Sequence, residues 1–156
     1  MSKNPQHVQI ATSYIGLTED PLGSNRGGYI DSLQQLFGFR AAPWCAMFAS
    51  DVSRRGNVQT PQVWSARAID FAVRGYSYRL SDIIYNRYAP KPGDYLVKTR
   101  RGGNHVDIFT EWDADNRSGK VLGGNVSDAV TVRNVTLQSM IADGTTHITE
   151  VLGSYK

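Results

Sequence analysis

The sequence predicts an α+β fold in which N-terminal helices pack on a meandering antiparallel sheet, and three observations carry that reading. Segments with helical spacing of apolar residues lie before Gly75, runs with strand-like alternation lie after Pro92, and turn residues separate those runs at short intervals. No repeat, linker or low-complexity stretch interrupts the 156 residues, so 1–156 reads as a single domain. Its 40% hydrophobic content is enough for a core that folds unaided.

Val8, Ile10, Ala11, Tyr14 and Ile15 predict a short amphipathic helix ending near Gly16. Thr18 to Gly28 is dense in turn formers and reads as a long irregular loop. Ile30, Leu33, Leu36 and Phe37 place a second helix over Tyr29 to Phe37, stopped at Gly38. Pro43 suits the first position of a third helix, because its φ is already helical and its missing N–H would have no partner there. Trp44, Met47, Phe48 and Val52 continue that helix at helical spacing, and Ser53-Arg54-Arg55-Gly56 supplies a basic last turn and a stop. A fourth helix is expected over Ser65 to Val73, with Ala68, Ile69, Ala72 and Val73 on one face. Strands follow at Asp94 to Thr99, Val106 to Trp112, Lys120 to Asn125, Val130 to Val135 and His147 to Leu152. The turn Pro90-Lys91-Pro92-Gly93 launches the first of them, and Asp113 to Asn116 with Ser118-Gly119 joins the second to the third.

Composition removes several classes of function. One cysteine can form neither an internal disulfide nor a zinc site built from cysteine pairs. His7, His105 and His147 lie far apart and belong to no metal-ligand motif, so no metal and no cofactor is expected. The net charge of +3 is a mild excess, with clusters at Arg54-Arg55 and Lys98-Thr99-Arg100-Arg101 that read as solvated basic faces. It suits anionic surfaces such as a bacterial envelope, while the absence of any nucleic-acid module argues against nucleic-acid binding. Met1 to His7 is polar and runs into no long apolar core, and no stretch is long enough to span a bilayer. The expectation is a monomer made in the cytoplasm without a signal peptide and without stable membrane insertion, exported or released by other means if it acts outside.

The candidate chemistry centres on Cys45. Placed in the first turn of a helix, it meets unpartnered N–H groups and the positive end of the helix dipole, which favour an anion there. A lone cysteine is also often a small buried hydrophobe, and Trp44, Ala46 and Phe48 would suit that role equally. His105 opens the second strand after a glycine turn, sharing a face with Asp107 and Phe109. Asn125 ends the third strand after Gly123-Gly124, and antiparallel pairing through the turn at Asn116 brings it beside His105. There its amide can fix the tautomer and orientation of the imidazole while the other ring nitrogen faces Cys45. Taken singly, Asn125 reads as a turn residue after two glycines, and His105 equally as an ordinary half-buried histidine.

These residues together resemble a known family. Gly16-Leu17-Thr18-Glu19 with Gly23-Ser24-Asn25-Arg26-Gly27, then Pro43-Trp44-Cys45-Ala46, Lys91-Pro92-Gly93-Asp94, Gly103-Asn104-His105-Val106 and Gly123-Gly124-Asn125 are similar to the CHAP branch of the NlpC-type, papain-like cysteine peptidases. Order and spacing agree from about residue 12 to residue 135. The resemblance implies a papain-like fold and cleavage of an amide bond in the peptide part of bacterial peptidoglycan, by an N-acetylmuramoyl-L-alanine amidase or an endopeptidase of the phage-lysin type. Cys45 would be the nucleophile, His105 the general base and then acid, and Asn125 the orienting residue. Some members carry an acidic residue two positions before that asparagine; here the position is Gly123, so the third member rests on Asn125, with Asp107 and Asp128 as weaker substitutes. The calcium-binding aspartate loops of some relatives have no match here. Arg26, in the loop expected to border the cleft, reads first as a solvated loop arginine, with a peptide carboxylate as its candidate partner. Two other readings remain beside this one: a thiol amidohydrolase acting on a non-wall substrate, and a catalytically silent wall-binding or phage structural domain.

Overall fold

A computed structural model describes residues 4–152; part of the polar start, Met1, Ser2 and Lys3, lies outside the described residues. The fold is α+β. Three helices come first, α1 (Gln6–Ser13), α2 (Gly28–Phe37) and α3 (Cys45–Arg55), followed by a 3₁₀ turn at Ala68–Phe71. Then come β1 (Ser77–Tyr78), α4 (Leu80–Ile84), β2 (Tyr95–Lys98), β3 (His105–Asp113), β4 (Ser118–Val126), β5 (Ala129–Thr136), α5 (Leu137–Ala142) and β6 (Thr145–Thr149). The strands make one antiparallel six-stranded sheet in the order β1-β6-β2-β3-β4-β5. The class is the predicted one and three helices precede the sheet; β2 to β5 form a meander, whereas β6 inserts between β1 and β2.

Strand alternation sorts the apolar residues onto two faces. Tyr95, Val97, Val106, Ile108 and Leu122 face α1, α2 and α3, packing with Val8, Leu33, Trp44, Phe48 and Val52. Leu96, Phe109, Val121, Val135 and Ile148 face the other way, under Ile83 of α4 and Met140 of α5. Being covered on both sides, β2 is buried at every position, which is why its sequence shows no polar alternation.

Several boundaries depart from the sequence reading. α1 begins at Gln6 and ends at Ser13, and α3 begins at Cys45 rather than Pro43, with Trp44 as its N-cap residue. The predicted helix over Ser65 to Val73 is only the 3₁₀ turn Ala68–Phe71. Tertiary partners take the flanking backbone there: Ser65 O accepts from Ser50 Oγ at 2.9 Å, and Phe71 O accepts from Thr149 Oγ1. The three-residue spacing of buried Ala68 and Phe71 suits the tighter turn. The closing strand is shifted toward the N-terminus because Val151 leaves the ladder, donating its N–H to the buried Asp94 Oδ1 at 3.1 Å while its carbonyl accepts from Lys91 Nζ at 3.0 Å. β1, α4 and α5 are too short to leave a periodic signal. Among the described residues no helix is long and apolar enough to cross a membrane.

Candidate active site

Trp44 fixes where α3 begins. Its ring is fully buried, edge-on to Phe48 and against β4, where a side chain on Gly124 would come within 2.7 Å of it. Its indole Nε1 donates to Glu19 Oε2 at 2.8 Å, and Glu19 Oε1 accepts the Asn25 N–H at 3.0 Å. One buried carboxylate therefore ties the long loop after α1 to the start of α3. The N-terminus of α3 carries no side-chain cap, so first-turn N–H groups, that of Cys45 among them, have no intrahelical acceptor. Cys45 is 6% exposed and lines a cleft of about 330 Å³ with Phe39, Ala42, Arg67, Ile69 and Asn104.

His105 stands at the other side of the thiol. As first residue of β3, paired with Lys98, it lies at the rim of the sheet, 7% exposed. Its Nε2 hydrogen-bonds Asp107 Oδ1 at 2.6 Å, leaving Nδ1 as the nitrogen available to Cys45. Asp107 is fully buried, and its other oxygen, Oδ2, accepts from Arg133 of β5 at 2.7 Å. Burial alone would push the carboxyl up; the His105 and Arg133 charges outweigh it and hold Asp107 below the usual carboxylate range. For His105, burial works against the charged ring, but the Asp107 carboxylate, its hydrogen bond and the Cys45 side chain raise the pKa from 6.5 to about 9. A ring so raised adds stability that is complete below pH 6.5 and is lost as pH rises through about 9. If activity requires this imidazolium, it should decline over that same interval near pH 9. Asp107→Asn, by removing the chief raising charge, should move the basic limb to lower pH, and a kcat/KM pH profile of both proteins checks it.

Of the three residues predicted for the site, the structure brings Cys45 and His105 together and leaves Asn125 aside. The ladder between β3 and β4 runs only as far as Ile108 opposite Leu122, and Asn125 itself adopts a left-handed backbone at φ 58°. Its side chain makes no hydrogen bond to the imidazole, although both residues line one cleft. The orienting hydrogen bond comes instead from Asp107, two residues along the same strand. Gly123 explains the exchange: a Cβ there would sit 1.9 Å from Asp107 Oδ1 and 3.2 Å from His105 Nε2. The space that a side chain at position 123 would fill is occupied by the Asp107 carboxylate. Gly123→Ala should therefore displace Asp107 and lower kcat by about 10²-fold or more, with Gly124→Ala instead losing thermal stability through its clash with Trp44; steady-state kinetics and melting curves separate the two.

Asp128 lies elsewhere, in the left-handed pair Ser127-Asp128 that turns β4 into β5, with its carbonyl accepting from Glu19 N–H. Arg26 is ion-paired to Asp31 at 2.6 Å. Arg133 escaped the sequence reading altogether, because nothing local marks one arginine in a strand. Asp107 was visible there through its two-residue spacing from His105. Lys98 also departs from expectation: unlike the exposed Arg100 and Arg101 it is buried. Among the described residues no group of three or more His, Cys, Asp or Glu side chains could hold a metal ion. The chain matches no protein-family model and none of the curated proteins.

Proposed function

We propose that the chain is a cysteine-dependent amidase or endopeptidase of papain-like fold that cleaves an amide bond in the peptide part of bacterial peptidoglycan. The observation that carries the catalytic part is the line Cys45, His105, Asp107: a thiol at an uncapped helix start beside an imidazole whose far nitrogen is held by a buried carboxylate. The resemblance to CHAP enzymes over residues 12 to 135 and the mild positive charge support the wall as substrate.

In this reading the Cys45 proton is held on His105 Nδ1 before substrate arrives, and the sulfur attacks the peptide carbonyl carbon. The negative charge formed on the carbonyl oxygen is met by the free N–H of Cys45 at the start of α3. The imidazolium then protonates the departing amine, leaving a thioester on Cys45. His105, now neutral, takes a proton from water, whose oxygen attacks the thioester and frees the acid. Asp107 keeps Nε2 protonated throughout and stabilises the ring when it is charged; Arg133 holds Asp107 in place.

Mass analysis of products from purified sacculi tests the proposal. New amine and carboxyl ends in the peptide or at its junction with the glycan are expected, suppressed by iodoacetamide and unaffected by EDTA. New reducing sugar ends would overturn it. No product at all, with Cys45 still alkylating rapidly, would move the substrate away from the wall.

A further inference from the structure

Two clefts flank the Cys45–His105 pair, one lined by Cys45 and the other by His105, and they differ in charge. The one on the cysteine side is largely apolar, with Arg67 its one charged lining residue. The one on the histidine side, about 320 Å³, is lined by Lys98, Arg100 and Arg133, with Asp143 its one acidic lining residue. These three cations are not equally occupied. Arg133 is bound to Asp107 at 2.7 Å and lies 3.5 Å from Asp143. Lys98 has a side chain only 6% exposed, yet among the described residues its Nζ makes no hydrogen bond, and Asp143 Oδ2 stands 3.9 Å away. Nζ is absent from the buried polar atoms without a partner, so the ammonium ends at the cleft surface with room for an anion. Burial, then the neighbouring Arg133, lower the Lys98 pKa, against the opposing pull of the Asp107 and Asp143 carboxylates. Arg100 stands at the exposed mouth, and among the described residues its Nε donates to Gly103 O at 3.4 Å.

The polarity of the reaction says which half of a substrate reaches this cleft. The departing nitrogen must lie at the imidazole that protonates it, so the acyl half follows the cysteine side and the amine half the histidine side. We propose that the basic cleft is an anion subsite, in which Lys98 and Arg100 receive a carboxylate carried by the amine half of the scissile amide. The assignment of halves rests on the function proposed above; the affinity for a carboxylate does not.

The test therefore has a binding arm and a cleavage arm. N-acetylglycine and N-acetyldiglycine, each with its carboxamide counterpart, are titrated into isotopically labelled Cys45→Ala protein and followed by NMR. The carboxylates should shift the Lys98, Arg100 and Asn125 amide signals and bind at least about tenfold more tightly than the carboxamides. Lys98→Gln and, on the exposed side where folding is not at stake, Arg100→Gln should each reduce that preference. Equal binding, or no shift from either carboxylate, overturns the subsite whatever the enzyme cleaves. In the second arm, wild-type protein should cleave sacculi whose carboxylates have been converted to carboxamides about tenfold more slowly than native sacculi. Equal rates overturn the subsite and leave the thiol mechanism standing. Carboxylate-selective binding without cleavage of either material overturns the wall-hydrolase reading and leaves the subsite standing.

Discussion

Cys45→Ala is expected to abolish amide hydrolysis, by at least about 10⁴-fold, while the protein stays folded. Among the described residues that line the cleft with Cys45, the other polar side chains are Arg67 and Asn104, and neither can form a thioester. The structural cost should be small. The side chain lost is a single sulfur at the edge of the core, beside an open cleft, so the void it leaves can take up solvent. A cost of about 1 kcal/mol or less is expected, well below that of truncating a large core side chain. Circular dichroism and a melting curve establish the fold, and release of peptide fragments from sacculi measures activity. A well-folded Cys45→Ala protein that still hydrolyses the wall would remove Cys45 from the mechanism.

The second large effect separates Asp107 from Asn125. Asp107→Asn should lower kcat by about 10²–10⁴-fold, because an amide at this position can present its NH₂ to Nε2 and favour the wrong tautomer, besides losing the charge that supports the imidazolium. Asn125→Ala should leave kcat within about threefold, since its side chain makes no hydrogen bond to the ring. Asparagine preserves the volume of Asp107, and Arg133 keeps Asp143 at 3.5 Å, so a global collapse is not expected to confuse the result. Kinetics at several pH values on both variants give the comparison. A severe loss in Asn125→Ala with little effect in Asp107→Asn would restore the orienting role to Asn125.

The sequence by itself determined the class of the fold, the order of its first three helices and of strands β2 to β5, and the places of Cys45 at a helix start and His105 at a strand mouth. Each of these is written in local chemistry. Helical spacing before Gly75 and alternation after Pro92 separate the two halves, and a short glycine-containing segment places His105 at a strand mouth. The β3–β4 hairpin was legible too, because Asp113 accepts the N–H groups of Asp115 and Asn116 in the turn where the sequence put it.

What only the tertiary structure decided is the environment of that pair. Whether His105 turns to Asp107 or to Asn125 depends on side-chain space at Gly123, and that space is a property of β3 lying against β4, not of either strand alone. Arg133 reaches Asp107 from β5, 26 residues further along the chain. Lys98 belongs to a basic run that reads as solvated, yet β2 lies between β3 and β6 and carries this one lysine into a wall while Arg100 and Arg101 stay outside. Residue type and position single out Cys45 and His105 as candidates. The third member and the charge of the cleft are set by contacts between strands distant in sequence, where a single methyl group at position 123 would be enough to exclude the carboxylate.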